Sequence, residues 1–247
     1  MLIQQEKLLE GKVALVTGAT GLLGSVIAER FYNEGVNVIL NCCNNDLRAE
    51  ELKRFGETYK ADVNDYLQFE NMIGYIRNKY GHLDILINNY GPILYKDILD
   101  IEPGDFQKII LQNIMPVFHG CRLAGNAMME QGRRGRIINI AAAGADEIKP
   151  KKKTAPYFIG KNAVIMLTRS FALEYASYGI TVNAVSPGII EGADNPEAGS
   201  RSGKFSGPMN GRIKPDDISS IICFLCSDNA GTISGEDLNI SSGIQSL

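Results

Sequence analysis

The sequence contains no tryptophan, two histidines and five cysteines, and it has no long apolar run. Five scattered cysteines do not form a disulfide framework and fit a reducing compartment. Cys223 and Cys226 form a C-x-x-C in an apolar helical stretch, where we expect them to pack as small hydrophobic residues. His82 and His119 stand without other ligands at metal-site spacing, so we expect no bound metal.

Segments that would direct the chain to a membrane are also missing. No apolar stretch approaches the ~20 residues that span a bilayer, and residues 1–10 do not have the pattern of a signal peptide. A net charge of −3 gives no reason to expect a nucleic-acid partner or a membrane partner. We therefore expect a cytoplasmic protein.

The 247 residues, 45% of them hydrophobic, fit one large domain better than two small ones. Short β-rich segments alternate with longer helical patterns, and several of the short segments are apolar on both faces. This alternation predicts a single α/β domain over residues 1–247, with a Rossmann-type doubly wound parallel sheet of about seven strands and helices on both faces. The predicted strands are residues 13–17, 36–41, 59–63, 85–88, 137–140, 181–185 and 237–240. The predicted helices are residues 25–33, 65–80, 105–131, 157–178 and 215–226.

Residues 191–211 break this pattern with a long stretch rich in Gly, Ser, Asn and Pro. Long irregular segments in compact domains are usually functional lids or disordered. Because this one follows a strand, where sheets of this class bind ligands, we predict a mobile substrate lid.

Residues 17–24 read TGATGLLG and connect the first predicted strand to an amphipathic helix. Glycines permit a tight turn there and let the backbone approach a pyrophosphate, which then lies at the positive end of the helix. The segment predicts a dinucleotide-binding loop.

The end of the second strand bears on which dinucleotide binds. Residues 41–44, NCCN, offer neither the carboxylate that holds the ribose of NAD nor an arginine for the 2′-phosphate of NADP. The missing carboxylate removes a repulsion and Arg48 lies within reach, so NADP(H) is favoured over NAD(H). Asp62 follows the third strand, where it either binds the adenine amino group or caps the helix that begins near Asp65.

Tyr157 and Lys161 stand at positions i and i+4 of a predicted helix and therefore share a face. A free tyrosine, with a pKa of about 10, is a poor proton donor near neutral pH. An adjacent ammonium lowers the pKa of a phenol, so the pair predicts a general acid/base.

The whole set of motifs resembles the short-chain dehydrogenase/reductase family over essentially the full chain, and most of all its 3-oxoacyl-carrier-protein-reductase-like members. The matching pieces are TGATGLLG at 17–24, ADV at 61–63, INNYG at 87–91, Asn113, GRIINI at 135–140, Tyr157-x-x-x-Lys161, ITVNAVSPG at 180–188 and SGEDLNISSG at 234–243.

The resemblance implies roles for these residues. It implies that Tyr157 is the acid/base, that Lys161 holds the nicotinamide ribose and tunes Tyr157, and that Asn113 anchors a proton-relay water. It also implies a homodimer or homotetramer. The cofactor contacts we predict are Gly18, Thr20, Gly21, Leu22, Leu23, Gly24, Cys42, Asp62, Val63, Asn89, Tyr90, Gly91, Ile140, Tyr157, Lys161, Pro187, Gly188 and Ile190.

The sequence departs from the family pattern at several positions. Ala142 aligns with the serine that hydrogen-bonds the substrate carbonyl, and loss of such a donor costs ~10²–10³ in rate. Thr154, three residues before Tyr157, is a candidate substitute hydroxyl; we predict that Ala142 and Thr154 face the substrate. Leu22 replaces the middle glycine of the loop, and Tyr90 replaces a small residue.

Lys149, Lys151, Lys152 and Lys153 cluster just before the reactive tyrosine. They form either a solvated charge run or a patch that recognises a phosphate, a carboxylate or the acidic surface of an acyl carrier protein.

Three functions remain open from sequence. The first is an NAD(P)(H)-dependent oxidoreductase acting on a carbonyl or alcohol of a small-molecule substrate, with an anionic or carrier-linked group. The second is a catalytically weak dinucleotide-binding sensor or partner subunit. The third is a double-bond reductase or isomerase.

Overall fold

A seven-stranded, all-parallel sheet forms the centre of the protein. The structure, a computed structural model, describes residues 7–147, 149–193, 209 and 213–243. The order across the sheet is β3-β2-β1-β4-β5-β6-β7. The strands are β1 (Val13–Val16), β2 (Asn37–Cys42), β3 (Glu57–Lys60), β4 (Ile85–Asn88), β5 (Arg136–Ile140), β6 (Thr181–Pro187) and β7 (Asp237–Ile240).

Helices cover both faces of the sheet. They are α1 (Leu22–Asn33), α2 (Asp46–Leu52), α3 (Tyr66–Tyr80), α4 (Pro103–Glu130), α5 (Ala155–Tyr175) and α6 (Pro215–Cys226). Side chains alternate along a strand, so Val13 and Leu15 of β1 enter the core under α3, α4 and α5. Ala14 and Val16 enter the opposite core, against α1 and α6. The predicted single-domain, doubly wound Rossmann-type fold is confirmed.

The predicted bounds of β3 are wrong, and one helix was not predicted. β3 is the edge strand at Glu57–Lys60 rather than residues 59–63, because its partner strand β2 ends at Cys42, the register partner of Lys60. α2 was not predicted at all. It buries little apolar surface, and its start depends on the side chain of Asn45, which accepts the N–H of Arg48 at 3.0 Å.

A buried chain of hydrogen bonds fixes α5 against the sheet. Asn88 at the end of β4 donates to Asn139 of β5 at 2.8 Å, and Asn139 donates to Thr168 Oγ1 of α5 at 2.9 Å. Thr168 in turn donates to Val164 O at 2.8 Å. Buried amides need such partners, so the network also fixes the register of the helix that carries Tyr157 and Lys161.

Other predictions concern α6, the lid and membrane contact. Cys223 and Cys226 are buried in α6, and burial raises the pKa of Cys223 to about 12, as suits packing residues. Of the predicted lid at 191–211, residues 194–208 and 210–212 lie outside the described residues. In the described parts of the chain, none of the helices has the length and apolar character needed to cross a membrane.

Candidate active site

The candidate site lies where the order in which strands are added to the sheet reverses. From β1 the chain builds outward to β2 and β3, then returns to place β4 on the other side of β1. Open α/β sheets bind ligands at such a switch point, beyond the carboxyl ends of the strands. The glycine loop after β1 and the NNYG segment after β4 therefore meet there.

Thr17 and Asn89 join these two segments. Thr17 Oγ1 accepts the N–H groups of Asn89 at 3.0 Å and Tyr90 at 3.2 Å. Asn89 Nδ2 donates to the carbonyls of Thr17 and Gly18, at 3.0 and 3.1 Å. The backbone of Tyr90 therefore lies directly against Gly18, although its large side chain replaces a small one in the family pattern.

The glycine loop has the shape of a phosphate cradle. Gly18 adopts φ +59°, a conformation that favours glycine, and a methyl group on Gly24 would lie 2.6 Å from Gly18 O. Gly21 is the N-cap of α1, so the N–H groups of Leu22, Leu23 and Gly24 have no partner within the helix. These groups, with Thr20 beside them, can bind a pyrophosphate at the positive helix end.

Asn41 supports the glycine loop through hydrogen bonds, and it is not among the residues predicted from sequence to form the site. Its Oδ1 accepts the N–H of Gly18 at 3.3 Å, its carbonyl accepts the N–H of Ala19 at 3.0 Å, and its Nδ2 donates to Ala61 O at 2.9 Å. A buried amide at the end of β2 is the signal that would have found it.

The residues predicted to contact the adenosine end of a dinucleotide lie beyond the ends of β2 and β3. Cys42 ends β2 and contacts Tyr59 O through its Sγ at 3.7 Å. Asp62 does not cap α3, because Asp65 does so by accepting the N–H of Gln68 at 3.1 Å. One carboxylate oxygen of Asp62 instead accepts two hydrogen bonds from Asn64, and Val63 is buried beside it.

Tyr157 and Lys161 lie in the first two turns of α5. Lys161 Nζ is 5.6 Å from the centre of the Tyr157 ring and donates to Ile140 O, at the end of β5, at 2.6 Å. Lys161 is buried while Tyr157 is half-buried. The structure thus brings the two together on one face of the helix, as the i and i+4 spacing predicts.

Asn113 of α4 joins them at Gly91. A methyl group on Gly91 would lie 2.7 Å from Asn113 Oδ1 and 2.8 Å from Lys161 Nζ, so both atoms face the same small space. Asn113 Nδ2 donates to Pro92 O and to Ile109 O, each at 2.9 Å. Its Oδ1 is buried and has no hydrogen-bond donor among the described residues, so it is a ready acceptor for a water molecule.

Burial dominates the protonation of this pair. It raises the pKa of Tyr157 above its ordinary value, with the nearby Tyr95 phenol adding to the rise. It lowers the pKa of Lys161 to about 8. In this arrangement the ammonium donates to Ile140 O and desolvation raises the pKa of the Tyr157 phenol, so stabilisation of the phenolate by Lys161 stays a prediction.

The remaining predicted residues line the carboxyl ends of β5 and β6. Ala142 is buried two residues after β5, and its carbonyl accepts the N–H of Ala145 at 3.0 Å. Thr154 immediately precedes α5 and makes no side-chain capping bond. Pro187 ends β6, Gly188 donates to Ile240 O at 2.9 Å, and Ile190 bridges to Ile213.

Comparisons with known proteins identify the family of this chain. A family profile described as Enoyl-(Acyl carrier protein) reductase matches residues 18–245. The chain is 31% identical to diacetyl reductase [(S)-acetoin forming] of Staphylococcus epidermidis, over 94% of this chain and 98% of that protein. It is 32% identical to 3-oxoacyl-[acyl-carrier-protein] reductase FabG of Haemophilus influenzae, over 96% and 99% respectively. The protein belongs to the short-chain dehydrogenase/reductase family.

A solved short-chain dehydrogenase/reductase has the same fold. The crystal structure of a short-chain type dehydrogenase/reductase from Mycobacterium marinum superposes with a TM-score of 0.89 at 28% identity, covering 97% of each chain. Short-chain dehydrogenases/reductases are oxidoreductases that use NAD(P)(H). The cradle at Gly18 and Gly24 and the unpaired Asn113 Oδ1 fit such a cofactor.

Proposed function

We propose that this protein is an NAD(P)(H)-dependent reductase of ketones in which Tyr157 exchanges a proton with the substrate oxygen. The observation that carries the proposal is the convergence of Tyr157, Lys161 and Asn113 beside Gly91, next to the phosphate cradle. Bound reduced cofactor supplies the hydride to the carbonyl carbon. The protein orients the carbonyl, excludes water and delivers the proton to its oxygen.

The proton route follows from the unpaired acceptor in the site. The Tyr157 hydroxyl gives its proton to the substrate oxygen as the carbonyl becomes an alcohol. A water bound to Asn113 Oδ1 would lie near Lys161 Nζ, because both atoms face the space at Gly91, and it would return a proton to Tyr157 from solvent. Lys161 supplies the positive charge that stabilises the phenolate in between.

The cofactor is NADP(H) in this proposal. Residues 42–45, at the end of β2 and just after it, include no carboxylate to hold an unphosphorylated ribose. Two cations lie beside that strand end instead. The Arg48 guanidinium reaches Ser25 Oγ of α1 at 3.5 Å, and Lys60 is the register partner of Cys42. Each has a surface carboxylate partner, Glu51 at 2.6 Å and Asp46 at 2.8 Å, that a 2′-phosphate would displace.

The names of the relatives support a carbonyl substrate. The Staphylococcus epidermidis and Haemophilus influenzae proteins are named for diacetyl and for 3-oxoacyl groups. Each contains two carbonyl groups, which are adjacent in diacetyl and separated by one carbon in a 3-oxoacyl group. We propose that a compound with a ketone near a second carbonyl is reduced here as well.

A second candidate is reduction of a carbon–carbon double bond. Ala142 offers no hydroxyl to a developing oxyanion, and the matching family profile is described as an enoyl reductase. We infer that reduction of a double bond would proceed here without a hydroxyl at position 142.

Two substitutions test the proposal and separate these candidates. We expect Tyr157→Phe to lower kcat for diacetyl reduction by at least about 10²-fold while the affinity for NADPH stays within about twofold. We expect Ala142→Ser to raise kcat for the ketone by about 10²-fold, because a hydroxyl then faces the oxyanion. Cofactor oxidation at 340 nm measures turnover, and NADPH fluorescence measures binding.

Three results would contradict ketone reduction. Unchanged ketone turnover in Tyr157→Phe would show that the Tyr157 hydroxyl takes no part in the reaction. Turnover of an enoyl thioester but no ketone, with no gain from Ala142→Ser, would favour double-bond reduction. Tight NADPH binding with no turnover of either substrate would favour a dinucleotide sensor.

A further inference from the structure

A separate pocket of about 730 Å³ lies between the segment that follows β5 and the first turns of α5. Its apolar wall contains Ile98, Phe158 and Ile159, and its charged wall contains Lys149, Lys151 and Lys152. None of the residues Tyr157, Lys161 and Asn113 lines it. The volume lies within the ~300–1,000 Å³ range of small-molecule sites, which are mostly apolar with a few polar groups.

The charged wall has an excess of positive charge. Lys149 pairs with Glu147 at 2.6 Å, and Lys152 approaches Asp97 at 4.0 Å with 86% of its side chain exposed. Exposed ion pairs such as these contribute little free energy, so a lysine exchanges its protein carboxylate for a ligand anion at small cost.

Lys151 marks the border between the two walls. Its ammonium lies 4.1 Å from the centre of the Phe158 ring, and a methyl group on Gly144 would lie 3.5 Å from its Nζ. The cation thus lies over the apolar wall rather than out in solvent. A ligand that contacts both walls needs an anionic group for the charged wall, joined to an aliphatic part for the apolar wall.

We propose that this pocket binds the aliphatic, anionic part of the substrate, with a carboxylate or phosphate at Lys151 and its alkyl chain on Ile98 and Phe158. The inference rests on the proposed function in that it names a class of substrate for it. The Phe158 ring lies 5.4 Å from the Tyr157 ring, so a chain seated in the pocket ends one side chain away from the catalytic phenol. A ketone in the same molecule then reaches Tyr157.

Direct binding tests the pocket without turnover. Isothermal titration of the full chain with octyl phosphate, octanoate, octanol and inorganic phosphate separates the contributions of the two walls. We expect octyl phosphate or octanoate to bind at least about tenfold more tightly than octanol or inorganic phosphate, and to weaken several-fold from about 50 to about 300 mM NaCl. The stronger of the two anions identifies the head group.

Variants locate the binding. We expect the triple variant Lys149→Gln, Lys151→Gln and Lys152→Gln to weaken anion binding by about tenfold. We expect Ile98→Glu to do the same, because the glutamate opposes both the alkyl chain and the anionic group of the ligand. The charge-matched control replaces the exposed lysines Lys7, Lys53 and Lys108 with glutamine and keeps wild-type affinity. Circular dichroism confirms that each variant folds.

The results that overturn the proposal are distinct from failure of the proposed reduction. Octanol binding as tightly as octyl phosphate, no binding of either anion, or equal losses in the control would each remove the pocket as an anion site. Dissociation of a dimer in the lysine variant would assign this face to a second copy of the chain. Binding of the anion without competitive inhibition of diacetyl reduction would remove its link to the substrate, whereas absence of any ketone turnover leaves the binding result intact.

Discussion

Lys161 is the residue whose environment determines the behaviour of the site. It is buried, which lowers its pKa to about 8, and its ammonium donates to Ile140 O at 2.6 Å. The ammonium therefore exists near neutral pH but is lost within the range that an enzyme assay reaches. Every role proposed for Lys161 requires the charged form.

We predict that NADPH affinity weakens as the pH rises above about 8. Hydrogen bonds from the ammonium to the cofactor would raise the pKa of Lys161, so protonation and cofactor binding favour each other. Below pH 8 both states are protonated and the affinity is constant. Above it the free protein loses the proton first, and Kd rises by up to about tenfold per pH unit.

Fluorescence titrations of NADPH from about pH 7 to about pH 10 measure this dependence. Lys161→Arg keeps its charge over the whole range, so its Kd should stay flat. Lys161→Met should bind weakly at every pH. The same slope in Lys161→Arg as in the wild type would assign the titration to another group.

At the scale of elements, the glycine loop and α1 act as one unit. The start of α1 is set by Gly21, and its first turn packs on the loop so closely that Gly24 has no room for a side chain. The N–H groups that would bind the pyrophosphate are therefore placed by packing and not by side-chain caps.

We predict that Gly24→Ala destabilises the fold and weakens cofactor binding together. Its methyl group would lie 2.6 Å from Gly18 O and 2.8 Å from Asn89 Nδ2, so the loop and helix must separate, at a cost of about 1–3 kcal/mol. Urea unfolding and NADPH titration measure the two effects. Gly74→Ala in α3 is the control, because nothing lies within 4 Å of its added methyl, and it should gain about 0.5–1 kcal/mol. Wild-type affinity in a destabilised Gly24→Ala would separate the loop from cofactor binding.

The elements that sequence predicts well are those with a local signal. The glycine loop and the Tyr157–Lys161 pair are set by spacing within one turn or one helix, so their positions agree with prediction. Asn41 was missed because its role depends on contacts with Gly18 and Ala61, which the fold brings together from different strands. The contact between Lys161 and Ile140 O, and with it the direction of the pKa shifts, depends in the same way on tertiary burial.

Elements with a weak apolar pattern were the other features that the sequence did not predict. α2 is short and mostly exposed, so its apolar pattern is too sparse to indicate a helix. The pocket beside α5 was predicted only as a lysine cluster, because its apolar wall comes from Ile98, far along the chain from Phe158.

At the scale of the whole molecule, the outer surface of the α4–α5 pair exposes large apolar side chains on α5. These two helices pack against each other with close contacts at both ends. A methyl group on Gly160 would lie 2.7 Å from Asn113 Cβ, and one on Gly125 would overlap the Tyr175 ring. On α5, Met166 is 61% exposed and Leu173 is 83% exposed. The two are seven residues apart and share one face of the helix.

We predict that this face joins two copies of the chain. Single exposed apolar residues are common on soluble proteins, but neighbouring ones on one helix face indicate a buried interface. Closed twofold dimers bring the same face of each copy together, so one glutamate on each helix meets its counterpart across the axis. Met166→Glu with Leu173→Glu should therefore dissociate a wild-type dimer of twice 27.0 kDa into monomers, as measured by size-exclusion chromatography with light scattering.

Leu47 and Leu67 provide the matched control, because they are 85% and 65% exposed on α2 and α3, away from this face. Leu47→Glu with Leu67→Glu adds the same charge and should leave the dimer intact. If both double variants dissociate, added charge rather than the α5 face is the cause. If neither does, or if the wild type is a monomer, the face does not join two copies. Because Asn113 and Lys161 lie on the two helices that would be covered, a monomeric variant should also lose kcat for the ketone more than it loses NADPH affinity.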